Sequence, residues 1–250
     1  SITIDSSNNI FITGFTNSTN FPIPAVGYYD RSNAGGKDAF VSKFNDGLSS
    51  LLASTYIGGS STDESYGIST DSSGNVFITG RTNSNNFNTT TGSSDISPNG
   101  NYDVFVSKFN NQLTSLSAST YLGAGNIDEG RAIAINSTGY VYVTGNTNST
   151  LFPTNTTASD RTFNTYDSFV SAFNPSLTSR TASTFLGGTG TDEARAIAIN
   201  GSGYVYVAGR TTGSFPTNTT AADQVFGGQS DVFVSKFDRN LTHLVDSTYL

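Results

Sequence analysis

Pairs of adjacent acidic residues are the feature of this sequence best suited to chemistry. They follow glycine-containing stretches at three places, Asp63-Glu64, Asp128-Glu129 and Asp192-Glu193. Carboxylates and backbone carbonyls are the hard oxygen ligands that Ca²⁺ takes in proteins, so these six residues are candidate calcium ligands. Arg131 and Arg195 come shortly after two of the pairs, and an acid–arginine network that fixes each link is the alternative. Because no complete calcium-loop pattern is present, the sequence favours the structural alternative.

Catalytic motifs are scarce. The one histidine, His243, lies beside the last predicted strand without a repeated acid or nucleophile partner. No Gly-x-Ser-x-Gly elbow singles out a serine. Paired carboxylates are typical of glycoside hydrolases, but neighbouring residues of a strand point to opposite faces. We therefore predict a protein that is not an enzyme, with no catalytic residues and no cofactor other than the candidate calcium.

Composition and charge exclude several classes of partner. The net charge is −7, and the 12 basic residues are scattered over the 250 positions. A nucleic-acid-binding protein needs a basic stripe to neutralise phosphates, and an anionic membrane surface attracts the same feature. No apolar run approaches the ~20 residues of a spanning helix. Cysteine is absent, which excludes disulfides and thiolate sites, and methionine is absent even from position 1. The last observation predicts a processed chain or a part of a longer one.

The elements that must position the acidic pairs are organised around a repeated stretch, Asp-x-Phe-Val-Ser-Lys-Phe. It recurs about every 64 residues, at Asp38–Phe44, Asp103–Phe109, Asp167–Phe173 and Asp231–Phe237, with Ala172 in place of lysine in the third copy. Alternation along a strand places its phenylalanines on one face and its valines on the other. Both faces carry apolar bulk, so we predict a strand that is covered on both sides.

Three further strands accompany each copy of this stretch. A light strand and a heavier one precede it, joined by a turn in which Gly74, Gly139 and Gly203 can take a positive φ and Asn8 stands in the same place. A long polar loop with a recurring Phe-Pro follows, and an outer strand closes the unit. Four-stranded repeats predict an all-β fold, a β-propeller of antiparallel blades in one domain over residues 1–250. The expected blades cover approximately residues 1–57, 58–122, 123–186 and 187–250.

The motifs also resemble a known family. Val-Tyr-Val-Thr-Gly, Asn-Ser followed by Phe-Pro, Asp-x-Phe-Val-Ser-Lys-Phe, Ser-Thr-Tyr-Leu-Gly-Gly and Asp-Glu look like the β-propeller repeat called SBBP, over all four repeats. The resemblance implies a propeller in a secreted or cell-surface setting, often within large multidomain proteins, and no defined activity. It also implies more than four blades. Either four blades close by packing alone, or this chain belongs to a longer one.

Glycosylation acceptors support an extracellular or cell-surface location. Asn-x-Ser/Thr triplets are predicted to lie in turns and loops, and chance in a sequence rich in Asn, Ser and Thr is the alternative. The acceptors are Asn17, Asn88, Asn136, Asn148, Asn155, Asn200, Asn218 and Asn240.

These observations predict a glycosylated structural or adhesion module whose loops meet protein or glycan partners and whose copies assemble into filaments or layers. One alternative is a multivalent lectin with equivalent pockets between blades, where Tyr140, Tyr142, Tyr204 and Tyr206 would stack on sugars. Tyrosines that fill space between blades are the structural explanation of the same pattern. A further alternative is a hydrolase or lyase that acts through the central channel.

Overall fold

Four separate β-sheets make up the fold. The computed structural model describes all 250 residues and contains strands, turns and loops but no helix, so no helix can cross a membrane. Each sheet has four strands in the order in which they occur along the chain, and every pairing within a sheet is antiparallel. The predicted all-β fold with one four-stranded blade per repeat is confirmed.

The strands have nearly equal lengths in all blades except at the first strand. Blade 1 comprises β1 (Ile2–Ile4), β2 (Ile10–Thr16), β3 (Asp38–Phe44) and β4 (Leu51–Ile57). Blade 2 comprises β5 (Asp63–Thr70), β6 (Val76–Thr82), β7 (Asp103–Phe109) and β8 (Leu116–Leu122). Blade 3 comprises β9 (Asp128–Ile135), β10 (Val141–Thr147), β11 (Asp167–Phe173) and β12 (Arg180–Leu186). Blade 4 comprises β13 (Asp192–Ile199), β14 (Val205–Thr211), β15 (Asp231–Phe237) and β16 (Leu244–Tyr249).

The third strand of each blade is the centre of its packing. In blade 2, Phe105 and Phe109 lie in the core shared with blade 1. Val104 and Val106, on the other face of the same strand, lie in the core shared with blade 3. The prediction of a strand covered on both sides is therefore correct here, because alternation sends each set of side chains to a different neighbour.

The hairpin turns that join the first two strands are closed by one side chain each. Asp71 Oδ1 accepts hydrogen bonds from the backbone N–H groups of Ser73, at 3.0 Å, and Asn75, at 2.9 Å. Gly74 has a φ of 78°, and Asn8 takes its place in blade 1 with a φ of 62°. Positive φ at these positions was predicted, since only glycine and a few polar residues adopt it readily.

The turns between the third and fourth strands contain a leucine at positive φ, which the sequence analysis did not predict. The φ angles of these leucines lie between 53° and 58°, at Leu48, Leu113, Leu177 and Leu241. Branched side chains rarely adopt this conformation. In blades 2, 3 and 4 the leucine is completely buried, so packing against the preceding blade compensates for the backbone cost.

The long loops are anchored by the phenylalanines of the recurring Phe-Pro and Phe-Asn. Their rings pack on the first phenylalanine of the third strand at centroid distances of 4.1–4.7 Å. The pairs are Phe21–Phe40, Phe87–Phe105, Phe152–Phe169 and Phe215–Phe233. These phenylalanines therefore anchor the long loops onto the sheets.

Three hydrophobic cores hold the blades together, one at each junction between consecutive blades. None joins blade 4 to blade 1. The four blades therefore do not close by packing of their faces, which was one of the two alternatives that the sequence left open. On the two faces that would form a closing core, Leu48 of blade 1 and Leu250 of blade 4 are exposed.

Candidate functional site

The two residues of each acidic pair enter different surroundings. Asp63 and Glu64 begin β5, and both side chains are almost completely buried. Because neighbouring residues of a strand point to opposite faces, Glu64 turns toward basic side chains whereas Asp63 turns into the junction with blade 1. The pair therefore does not act as one bidentate unit.

Glu64 and Glu129 are each bound by cations from two blades, whereas Glu193 pairs only with Arg195 and Arg210 of its own blade. Glu64 receives Lys37 of blade 1 at 2.9 Å, Arg81 Nε at 2.8 Å and the Tyr66 hydroxyl at 2.6 Å. Burial raises the pKa of Glu64, but these three donors outweigh it and bring the pKa down to about 2. Glu64 is thus an ionised carboxylate whose oxygens are already occupied.

Arg81 extends this network to the next blade. It also pairs with Glu129 of blade 3, which in turn pairs with Arg131. The Arg131 guanidinium lies over the Tyr66 ring of blade 2, 4.6 Å from its centroid. The acid–arginine network that the sequence analysis offered as the structural alternative is thus formed by the glutamates.

The aspartates of the pairs meet a second set of aspartates that the sequence analysis did not consider as a site. Asp38, the first residue of β3, lies on one side of Gly58, and Asp63 lies on the other. A Cβ placed on Gly58 would lie 2.9 Å from Asp38 Oδ1 and 2.9 Å from Asp63 Oδ2. Asp103 and Asp128 flank Gly123 in the same way, and Asp167 and Asp192 flank Gly187. Each junction between consecutive blades therefore carries one buried pair of carboxyl groups, one from each blade.

One oxygen of each carboxyl group is bound by the local backbone. Asp103 Oδ2 accepts hydrogen bonds from the N–H groups of Asn99, at 2.9 Å, and Gly100, at 3.1 Å. Asp128 Oδ2 accepts them from the Ala124 N–H at 2.8 Å and the Ser149 hydroxyl at 3.0 Å. These bonds fix the orientation of both side chains.

The other oxygen, Oδ1, is buried without a hydrogen-bond partner in all six aspartates. The six are Asp38, Asp63, Asp103, Asp128, Asp167 and Asp192. Three of the six have a threonine hydroxyl nearby that lowers the pKa of the carboxyl group. The pairs are Asp63 with Thr82, Asp128 with Thr147 and Asp192 with Thr211. None of these hydroxyls forms a hydrogen bond of normal geometry with Oδ1. No lysine or arginine forms an ion pair with any of the six.

Burial and mutual repulsion act on the titration of these groups. Burial raises the pKa of Asp38 to about 6, opposed by the Ala34 N–H and reinforced by the Asp63 carboxylate. Burial likewise raises the pKa of Asp167 to about 7, with the neighbouring Asp192 adding to the rise. An unpaired buried charge is unfavourable, so each pair attracts a proton or a cation.

The fourth copy of the stretch provides a natural contrast. Asp231 begins β15 and its Oδ2 accepts a hydrogen bond from the Gly227 N–H at 2.6 Å, as its counterparts do. Among these 250 residues, no second aspartate lies opposite Asp231 across a junction glycine. Asp231 is only half-buried.

The comparisons with known proteins agree with the repeat. A family model described as the SBBP β-propeller repeat matches four segments that together make up half of the chain. These are residues 1–22, 54–88, 119–153 and 183–216. The chain belongs to the SBBP family. No curated protein matches the sequence.

The SBBP segments contain only one aspartate of each junction pair. Asp63, Asp128 and Asp192 lie inside the matched segments, whereas the partners Asp38, Asp103 and Asp167 lie in the stretches between them. The sequence does contain a signal for Asp38, Asp103 and Asp167. Each begins a copy of an apolar strand that is predicted to be buried, and a polar residue at a buried position indicates a special role. The missing signal was the distance between blades, which periodicity along the chain does not give.

The largest cleft of this SBBP protein lies at the junction of blades 3 and 4. It has a volume of about 750 Å³ and is lined by turn residues together with Tyr140 and Tyr142. Tyr142 is buried, and its hydroxyl donates to the Arg239 carbonyl at 2.8 Å, whereas Tyr140 is exposed. In blade 4, Tyr204 is exposed directly before β14, and Tyr206 is half-buried. Tyr142 thus fills space between blades, and Tyr140 is the tyrosine available to a ligand in the cleft.

The axial cavity is small, with a volume of about 290 Å³. Its lining includes Tyr66, Arg131 and Arg195, together with small residues of the inner strands. His243 lies far from this cavity on a turn, where its Nδ1 meets the Thr242 hydroxyl at 2.9 Å. The structure does not bring the histidine and the acidic pairs together.

The glycosylation acceptors differ in accessibility. Asn17, Asn200 and Asn240 are exposed, whereas the other five are half-buried. Asn148 accepts the Ile127 N–H at 2.7 Å and Asn155 accepts from Arg180 at 2.8 Å, so their amides are part of the packing. Asn136 and Asn200 use their carbonyl oxygens to close hairpin turns.

Proposed function

We propose that this chain is a non-enzymatic structural or adhesion module of the cell surface or extracellular space, which associates with further copies of itself through the exposed faces of blades 1 and 4. One observation carries the proposal. Blades 1 and 4 each leave exposed a face whose counterparts are buried in the other blades. We call the face of a blade that packs on the following blade its forward face, and the face that packs on the preceding blade its rear face.

The rear face of blade 1 has the residue types of a buried face. Leu48 is 65% exposed, whereas its counterparts Leu113, Leu177 and Leu241 are completely buried. Ile2 is 64% exposed, whereas its counterpart Ile68 is buried. Large apolar side chains gathered on one exposed face are typical of an interaction surface.

The forward face of blade 4 also has the residue types of a buried face, so it matches the rear face of blade 1. Val232 and Leu250 are exposed, whereas the counterparts Val104 and Leu122 in blade 2 are buried against blade 3. The one polar departure is Asp246, which stands where the other blades have alanine and lies 3.7 Å from Lys236 Nζ. A blade 1 from a second copy is therefore the partner that fits this face.

The polar contacts between blades support the same match. Lys43 Nζ bonds the Asn111 carbonyl of the following blade at 3.3 Å, and Lys108 Nζ bonds the Pro175 carbonyl at 3.2 Å. Lys236 occupies the same position in blade 4. The position of Asn111 and Pro175 is occupied in blade 1 by Asp46, which is exposed. If blade 4 packs on blade 1 of another copy, Lys236 lies opposite Asp46 of that copy.

Because the two faces differ, this contact is heterologous. Such contacts close into a ring when the rotation permits and otherwise continue as a filament. Two copies would give a ring of eight blades, which is within the range of known propellers. Continuation as a filament agrees with the assembly that the repeats suggest, whereas closure would give a discrete ring of two copies.

Charge reversal tests the association. We expect the wild-type protein to self-associate in sedimentation velocity at concentrations up to the millimolar range. Lys236→Glu alone and Asp46→Lys alone should each weaken the association at least tenfold, and the double variant should regain it because the opposite charges are restored. Arg161→Glu makes the same charge change at an exposed loop position away from both faces and should leave the association unchanged.

Two results would contradict the association. One is a wild-type protein that stays monomeric over the whole concentration range. The other is a double variant no stronger than the single ones. Neither result would contradict the extracellular location, which the glycan mapping described next tests separately.

The glycoprotein part of the proposal rests on the exposed acceptors. After secretion from eukaryotic cells, we expect peptide mapping to find glycans at Asn17, Asn200 and Asn240 before the half-buried acceptors. Glutamine variants at these three positions should lose the corresponding mass. Unmodified asparagines at all three would contradict a glycosylated surface.

A second candidate function is glycan binding in the cleft between blades 3 and 4. The exposed Tyr140 ring and the surrounding Asn, Ser and Thr side chains are suited to a sugar, since aromatic rings stack on its apolar face. In blade 3 the lysine of the repeat is replaced by Ala172, so no lysine spans this junction. A glycan array read with the wild type and with Tyr140→Ala tests this function, and the absence of any binder in the presence of calcium contradicts it.

A further inference from the structure

Six buried carboxylate oxygens without partners are concentrated at the three junctions between blades. Asp38, Asp103 and Asp167 come from the forward side of one blade, and Asp63, Asp128 and Asp192 come from the first strand of the next. All six residues are 1% exposed or less, and Oδ1 of each has no hydrogen bond of normal geometry. A threonine hydroxyl lies near the carboxyl groups of Asp63, Asp128 and Asp192, whereas no side-chain donor acts on Asp38, Asp103 or Asp167. Buried polar atoms are almost always partnered, so a missing ligand is the natural explanation for a pattern that occurs three times.

The geometry points to a divalent cation at each junction. We propose that the carboxylate pairs Asp38–Asp63, Asp103–Asp128 and Asp167–Asp192 each bind one hard divalent cation, with Ca²⁺ as the ion that fits best. Two carboxylates supply two negative charges, which one divalent ion neutralises. Carboxylate oxygens are hard ligands, and Ca²⁺ accepts irregular sets that backbone carbonyls and water complete. This inference does not depend on the function proposed above.

The glycine at each junction keeps the space between the carboxyl groups open. A Cβ on Gly123 would lie 2.4 Å from Asp103 Oδ1 and 2.8 Å from Asp128 Oδ2. A Cβ on Gly187 would lie 2.8 Å from Asp167 Oδ1 and 2.7 Å from Asp192 Oδ2. Any larger residue would therefore occupy the space between the unpartnered Oδ1 of the first aspartate and Oδ2 of the second.

This site differs from the one expected from the sequence. Each acidic pair was expected to contribute both of its residues, but the glutamates are engaged by arginines and lysine. The aspartate instead shares its ion with the first residue of the third strand of the preceding blade. An ion held in this way joins two blades and would stabilise each junction.

Calorimetric titration of chelator-treated protein with CaCl₂ tests the inference. We expect three bound ions and a melting temperature that rises by about 3 °C or more at saturating calcium, since a ligand that binds only the folded state stabilises it. Asp103→Asn and Asp128→Asn should each reduce the count from three to two. The double variant should also bind two, because both substitutions affect one site.

Asp231→Asn is the matched control. It makes the same change in the same motif, but it has no opposing aspartate, so we expect three ions to remain bound. In the presence of chelator, Asp103→Asn should be at least as stable as the wild type, because the substitution removes the repulsion between two carboxylates.

Several results would overturn the inference. The first is a folded wild-type protein that gives no heat and no change in melting temperature with Ca²⁺, Mg²⁺ or Mn²⁺. The second is an equal loss of binding in Asp103→Asn and Asp231→Asn. If Asp103→Asn does not fold, the wild-type titration and Asp128→Asn still decide the question.

Discussion

Blades 2 and 3 have a neighbour on each side, whereas blades 1 and 4 have one neighbour each. The same sequence motif therefore occurs in two environments within one chain. Phe105 and Phe169 are completely buried, but the corresponding Phe40 is only partly covered. Leu113 and Leu48 differ in the same way. What a residue of the repeat contributes to stability is therefore set by the adjacent blade as much as by its own strand.

This dependence is what a stack of repeats requires. Each unit contacts only its neighbours, so stability is approximately the sum of terms within units and terms between them. The interior blades have two interface terms each, and the terminal blades have one. Substitutions at equivalent positions separate the two kinds of term, because the chemical change is identical and only the neighbour differs.

The largest difference is expected at the buried phenylalanines. Phe105→Ala should reduce the free energy of unfolding by about 3–5 kcal/mol, because it removes a fully buried ring and leaves a cavity. Phe40→Ala should cost about half as much or less, since blade 1 leaves part of that ring in water. Urea denaturation followed by circular dichroism measures both. Equal losses would show that the rear face of blade 1 is covered in solution.

The leucines of the turns between the third and fourth strands allow a second comparison, in which a smaller side chain is removed. Leu113→Ala should lower the free energy of unfolding by about 2–5 kcal/mol. Leu48→Ala should change it by less than about 0.5 kcal/mol, as is usual for exposed sites. Both leucines have φ near 55°, so the backbone contribution cancels between them. If dilution makes Leu48→Ala harmless and high concentration makes it costly, the difference measures association between copies.

The glutamates extend the comparison to charge. Glu129 lies in the interior and binds arginines from blades 2 and 3, whereas Glu193 of blade 4 pairs with Arg195 at 2.5 Å on a more exposed surface. Glu129→Gln should cost about 1.5–3 kcal/mol, the range for hydrogen bonds to charged groups. Glu193→Gln should cost less than about 1 kcal/mol, as exposed ion pairs do. Thermal melts at low and high salt distinguish the two, since only the exposed pair should weaken in salt.

The sequence contained most of the fold but only half of the candidate site. Local spacing along the chain determines the strand positions, the turns with Gly74 and Asn8, and the loop anchors such as Phe87. This spacing can be read from one sequence. The pairing of Asp38 with Asp63 depends on how one blade meets the next, and no local pattern encodes that distance. The positive φ of Leu113 was missed for the same reason, because burial by the preceding blade overrides the intrinsic preference of leucine.

The smallest difference between the two kinds of blade is expected at the hairpin turns that join the first two strands. Asn136 in blade 3 and Asn200 in blade 4 close equivalent turns, and each accepts two backbone N–H groups at 2.9–3.0 Å. These bonds lie within one hairpin and involve no neighbour. Asn136→Ala and Asn200→Ala should each cost about 0.5–2 kcal/mol, as the loss of a capping side chain does, and the two costs should agree within about 0.5 kcal/mol. A markedly larger cost in blade 3 would mean that even the turns respond to the adjacent blade, and the separation of terms within and between units would then fail.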